Sequence, residues 1–397
     1  MNTPKFMPQP SPNLFIRGIR LMIPRFTAGL QRATSHLQPL CRSAVKPALI
    51  VVLALPAAAQ DTVVTKDGRS SGAFAIRGNK TTLDDQALNW EKVASVLTAR
   101  RMVLTSPNAL VMRNGERWRC TIVGLHRNKL RVRIAPYGTV DVDIQLVASL
   151  VFNETGEDGG KPGRLYRTRG NPISGKLAGI SASALSLNSA LGVFNLDRKD
   201  VARYVMAPSV AEDEFDELTL INGSLFRGTL TPHDGELQME HPILGNSSIS
   251  EPTILYLRRH SPHWSRPGTW TVVASEGPMG LPESPSLRTR RSTRAIDVPW
   301  IEALRVAADT RLNWVEKSDR ERRFAAVVIP ASAHGGALLA FAGDKVLSEH
   351  AVSGDDAPIE WSFQLPAGQP LDIRFKFNNP PGMPCTVLIG DPILFTE

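Results

Sequence analysis

LTLINGSLFRGTL, residues 218–230, reads as a strand, a two-residue turn at Asn222-Gly223, a second strand, and a glycine at Gly228 where that strand bends. Apolar residues alternate on both sides of the turn, and Asn-Gly supplies the left-handed dihedrals of a tight hairpin. The signal recurs upstream. Turn glycines fall at Gly68, Gly115, Gly170 and Gly223, and in the last three units a second turn glycine follows after 23, 22 and 22 residues (Gly138, Gly192, Gly245). A closing hydrophobe follows after 32, 31 and 31 residues (Val147, Val201, Ile254). A period near 50 with matched internal offsets is a repeat architecture.

The repeats occupy residues 60–104, 105–153, 162–208 and 215–258. Each carries four to five short strands in the order hairpin, bent strand, hairpin, short final strand. That order predicts small, strongly bent SH3-like or Sm-like barrels, with the glycine after the first hairpin allowing the sheet to close on itself. Four hairpin pairs laid into one continuous sheet or sandwich are the alternative.

The formal charge of +8 suggests an anionic partner, but its distribution removes that suggestion. Residues 1–59 hold seven of the 46 Lys and Arg and none of the Asp or Glu, which leaves 39 basic against 38 acidic residues in the remainder. A nucleic-acid partner is therefore not expected. The leader itself reads as an export signal. Arg42 and Lys46 precede the apolar run Ala48–Leu55, and Pro56-Ala57-Ala58-Ala59 follows as a small-residue exit. Cleavage is expected near Ala59, giving an exported protein (periplasmic, outer-surface or secreted). The run is shorter than the roughly 20 residues of a membrane span, so none is expected after signal removal. Cys41 would leave with the leader; Cys120 and Cys385 fall in different domains, and no metal-ligand spacing of Cys and His occurs.

Residues 259–295 are rich in Pro, Ser, Gly and Arg and read as an exposed linker with at most one strand, at Trp270–Ala274. Residues 296–397 then show seven to eight alternating runs separated by turns such as Gly343-Asp344 and Ala367-Gly368, the pattern of a β-sandwich. No helical period longer than about ten residues follows the leader. The expected fold class is therefore all-β: tandem small barrels, then a jelly-roll-like sandwich.

Four stretches of this last domain, Arg322–Val327, Ala337–Leu347, Leu371–Phe375 and Gly390-Asp391-Pro392, resemble the NPCBM/NEW2 type of carbohydrate-binding module. The resemblance implies a jelly-roll sandwich appended to a secreted bacterial protein. The usual aspartate-aromatic approach to the closing motif is replaced by Cys385-Thr386-Val387. The upstream units look like the SH3/Sm-like repeats found beside such modules.

The chain offers no HExxH and no P-loop, so no catalytic residues, cofactor or metal are expected and the protein is not expected to be an enzyme. Binding a sugar asks for an exposed aromatic face with planar polar partners. The candidates are Trp314, Asn313, Trp300, Asp344, Arg374 and Asp391, with Trp314 the expected stacking surface. Trp361 alternates with Ile359 and Phe363 and is expected in the core. The expected partner is a polysaccharide or envelope glycan held by the sandwich. Protein partners held by the β repeats are the alternative.

Overall fold

The four turn signals mark four hairpins in the computed structural model, which describes residues 60–396 except 105, 154–159, 211–213, 267–270, 276–285, 290–301, 308–309, 315–317, 331–335, 354–355 and 378–385. The expected export signal and Trp300 lie outside the described residues. The described residues form one compact unit. Every described sheet is antiparallel, and no described helix is long and apolar enough to cross a membrane.

Each repeat follows one plan. The opening strand pairs with the strand after the turn on one side and with the closing strand on the other. In the fourth repeat these are Asp216–Leu220, Leu225–His233 and Ile254–Arg258. The strand after the turn bends, and its second half carries a separate hairpin, Glu236–His241 with Gly245–Ile249. The bend needs glycine: a Cβ at Gly228 would sit 2.3 Å from the Glu240 carbonyl oxygen. A single 3-10 turn then leads into the closing strand. Asn89, Asp143 and Asp197 cap three of these turns by accepting from the backbone N–H two residues on, and Pro252 sets the fourth.

None of these sheets closes into a barrel. The first sheets of all four repeats instead join edge to edge into one continuous sheet, in the spatial order third, second, fourth, first. Two junctions pair closing strands in the same register, Leu150 opposite Tyr204 and Leu257 opposite Val96. Both members of each pair lie three residues beyond the closing hydrophobe, so each junction has a local pseudo-twofold axis. The middle junction pairs Arg117 with Leu225, each two residues past its turn glycine. The expected separate barrels are thus replaced by shared edges, because an unpaired strand edge is stabilised by any partner in register. At one end of the joined strands Pro172 precedes the two-residue strand Ile173–Ser174 and blunts that edge.

The middle junction is packed tightly. Trp118 and Phe226 occupy equivalent positions and stack at 6.3 Å with an interplanar angle of 27°. Ser224 Oγ accepts from the Arg119 N–H, and Glu116 Oε1 accepts from the Arg227 N–H at the matching position. Glu116 is fully buried and also accepts from Trp118 Nε1 and His241 Nε2. Backbone N–H groups of Ile243 and Leu244 donate to His241 Nδ1, so the ring's hydrogen sits on Nε2 and points at Glu116.

The sandwich begins earlier than the sequence implies. Three strands in the expected linker, Trp264–Ser265, Thr271–Ser275 and Ser286–Thr289, pair into its two sheets. The second lies where the sequence offered a strand at Trp270–Ala274; the other two are short edge additions in a Pro- and Arg-rich stretch, which hides their alternation. One sheet is centred on Thr386–Thr396 and Arg322–Pro330, the other on Leu371–Phe377 and Gly336–Ala342. Between them lie Phe324, Trp361, Phe363, Phe375 and Trp314. Trp361 is 3% exposed, as expected, and its Nε1 donates to Ser348 Oγ at 3.0 Å.

Body and sandwich share a small apolar cluster, Val64, Ala94, Trp264, Ala325, Ile393 and Phe395. Charges run alongside it. Glu217 accepts from Arg227 and Arg258, and Arg258 Nη2 lies 3.5 Å from Asp391. Burial works against ionisation of Glu217, but Arg258 and Arg227 outweigh it and hold the carboxyl below its usual range. A carboxyl depressed in the folded state contributes stability that is complete above the unfolded value of about 4.3 and is lost as pH falls through the folded value. Glu217→Gln should therefore melt well below the wild type at pH 7, with the gap narrowing as pH falls below about 4. Thermal melts of both proteins across that range check this; a gap independent of pH contradicts it.

Candidate functional site

Alternation along the five-stranded sheet sorts its residues into two faces. Leu312, Trp314, Leu371, Ile373, Phe375, Leu338 and Ala340 point into the core. The residues between them point outward and line up across three strands. In one row Asn313 is opposite Asp372, which is opposite Phe341; in the next, Arg311 is opposite Arg374, which is opposite Leu339. Ala337, Leu339 and Phe341 form an apolar strip on this outer face.

Asp372 organises the polar part. Its Oδ2 accepts from Arg311 Nε at 2.7 Å, Arg311 Nη2 at 2.6 Å, Arg374 Nη2 at 2.8 Å and Arg374 Nε at 3.1 Å. The carboxylate is 5% exposed at its side chain, while Arg311 and Arg374 are 41% and 32% exposed. Two guanidinium planes are thus pinned at their inner edges, with the rest of their N–H groups left toward solvent beside half-buried Asn313. The Arg374 guanidinium also lies 4.0 Å from the Phe341 ring centroid and covers that ring. This array can hydrogen-bond planar or hydroxyl-bearing groups. It contains no nucleophile–base pair.

The structure brings Asn313 and Arg374 together and separates the other candidates. Trp314 is 4% exposed and packs in the core, so it cannot present a face to a sugar; the alternation with Leu312 that buries it turns Asn313 outward. Asp344 lies exposed in the turn after Gly336–Ala342. Asp391 is buried and faces Arg258 of the fourth repeat, so it serves the contact between body and sandwich. Arg311 and Asp372 were missed by the sequence reading. The signal for them was present, since Arg311-x-Asn313 and Asp372-x-Arg374 both alternate with large apolar residues.

No family model matches this chain, and no curated protein does. Several solved structures are similar to it. One holds CBM51-2 in complex with GlcNAc and the INT domains from Clostridium perfringens ZmpB, at 6% identity over 67% of this chain and 43% of that one, with a TM-score of 0.23. A second holds the M60 catalytic domain with CBM51-1 and CBM51-2 of the same protein, at 8% identity over 75% and 32%, with a TM-score of 0.24. A third is SGBP-B from a complex xyloglucan utilization locus in Bacteroides uniformis, at 8% identity over 82% and 98%, with a TM-score of 0.23. The chain spans less than half the length of the two Clostridium structures. At such TM-scores the likenesses carry no argument about this chain's ligand.

Proposed function

We propose that this chain is an exported, non-catalytic protein that binds a glycan or cell-envelope polymer through the outer face of the five-stranded sheet. The observation that supports it is the Arg311–Asp372–Arg374 array with Asn313 beside it. Fixing both guanidinium groups on one carboxylate removes most of the side-chain entropy that a ligand would otherwise have to offset. Planar donors held in rows suit the adjacent hydroxyls of a sugar ring. Hydrogen bonding takes the place of the aromatic stacking expected at Trp314. Peptide capture by the repeats is less favoured, because their sheet edges pair with one another.

Affinity electrophoresis of the full chain against a panel of neutral and acidic polysaccharides tests the reading. At least one polysaccharide should retard the wild type, and Asn313→Ala and Arg374→Ala should each weaken that binding roughly tenfold, Asn313→Ala with the melting temperature nearly unchanged. No retardation by any member of the panel, or variants that bind like the wild type, overturns it.

A further inference from the structure

The near-neutral balance of residues 60–397 conceals two unlike stretches. Residues 105–208, the second and third repeats, hold fifteen Lys and Arg against eight Asp and Glu, whereas residues 209–258 hold two against nine. The sheet order places the second and third repeats side by side, so their positive charge is gathered at one end of the joined strands.

Two depressions lie where these repeats meet. One, of about 510 Å³, is lined by Arg127, Lys129, Arg131, Asp141 and the apolar side chains of Val123 and Leu125. The other, of about 560 Å³, is lined by Arg167, Thr168, Arg169, Lys199, Asn153 and Asp200. Arg198 connects them. Its Nη1 donates to the carbonyls of Ile122 at 2.9 Å and of Ser181 and Ala182 at 3.1 Å, its guanidinium lies over Phe152, and the next residue, Lys199, lines the second depression. The seam is close-fitting, for a Cβ on Gly124 would come within 3.2 Å of the Ile180 carbonyl oxygen. Arg131 is paired with Asp141 and Lys199 with Asp197. Arg127, Lys129, Arg167 and Arg169 are exposed and make no ion pair among the described residues.

We propose that this seam is a docking site for an acidic polysaccharide. Cations spread over two adjoining depressions match charges repeated along a polymer better than a single small anion. The lining decides between polyanions. Single-stranded nucleic acid is held by aromatic platforms as well as charge, and neither depression is lined by Phe, Tyr or Trp, the one ring being the His126 imidazole at the first. Val123, 41% exposed, and Leu125 instead offer aliphatic surface for the C–H face of a sugar ring. The seam is separate from the sandwich face and stands whether or not that face binds.

The full chain and a variant carrying Arg127→Glu, Lys129→Glu, Arg167→Glu and Arg169→Glu are titrated with polygalacturonate and with single-stranded DNA. The wild type should bind polygalacturonate, losing roughly tenfold in affinity between about 50 and about 200 mM salt. The variant should lose binding at least tenfold while melting close to the wild type, since all four side chains are exposed. A wild type that fails to bind polygalacturonate, a variant that binds as before, or tighter binding to DNA overturns the proposal.

Discussion

Replacing Glu116 by alanine is expected to destabilise the protein by about 3–5 kcal/mol, since three buried donors lose their acceptor, a fall in melting temperature on the order of 10 °C for a body of this size. Glu116 is fully buried at the junction of the second and fourth repeats and accepts from the Arg227 N–H, Trp118 Nε1 and His241 Nε2. Removing the carboxylate strands three donors, and an unsatisfied buried donor costs about 1–3 kcal/mol. It also opens a gap beside Trp118 and Phe226, whose stacking fixes the register of the junction. Glu116→Gln keeps the volume and one acceptor oxygen but turns a donor toward donors, so its loss should be intermediate. Ser224→Ala, at the equivalent position across the pseudo-twofold, removes one acceptor and should cost only about 1 kcal/mol. Thermal and urea denaturation of the three variants measure the ranking. Equal losses for Glu116→Ala and Ser224→Ala would mean that the junction does not rest on the carboxylate.

The strands within each repeat were legible because they are local. Turn glycines and period-two alternation act over a few residues, and the offsets from Gly115, Gly170 and Gly223 repeat nearly unchanged. A further regularity was equally present and went unread. Asn89, Asp143, Asp197 and Ser250 each stand four residues before the closing hydrophobe and mark the 3-10 turn. Asp61 and Asp216 share a second role. Each stands seven residues before its turn glycine and accepts backbone N–H groups from its bent strand and from the residues following its closing strand. The joining of repeats was not legible. It depends on edges more than fifty residues apart, such as Leu150 with Tyr204, and edge pairing uses backbone groups that every sequence carries.

The outer face of the sandwich was half legible. Asn313 and Arg374 were identified as polar partners for a ligand, and the register places them in neighbouring rows. Arg311 and Asp372 escaped because a charged residue on an alternating strand is ordinarily a solvated face. Only cross-strand register shows two arginines converging on one carboxylate. The surplus charge of the second and third repeats was hidden because counting over residues 60–397 as a whole sums +7 with −7.

Trp314→Ala separates a core role from a ligand role at the residue where reading and structure disagree. An exposed stacking residue would lose binding with little change in stability. A core tryptophan behaves in the opposite way. Trp314 is 4% exposed among Leu312, Leu371, Ile373 and the other residues of the sandwich interior. Its truncation should therefore cost about 3–5 kcal/mol, through lost apolar burial and the cavity left behind. Trp314→Phe fills most of that space and should recover a large part of the loss. Binding should follow folding: at a temperature where Trp314→Ala is still folded, it should hold the wild-type's polysaccharide with unchanged affinity, because Asn313, Arg311 and Arg374 project from the other face. Calorimetry paired with affinity electrophoresis reads both quantities on one sample. A Trp314→Ala protein that melts like the wild type but no longer binds would place the indole in the site and displace the Arg311–Asp372–Arg374 array from it.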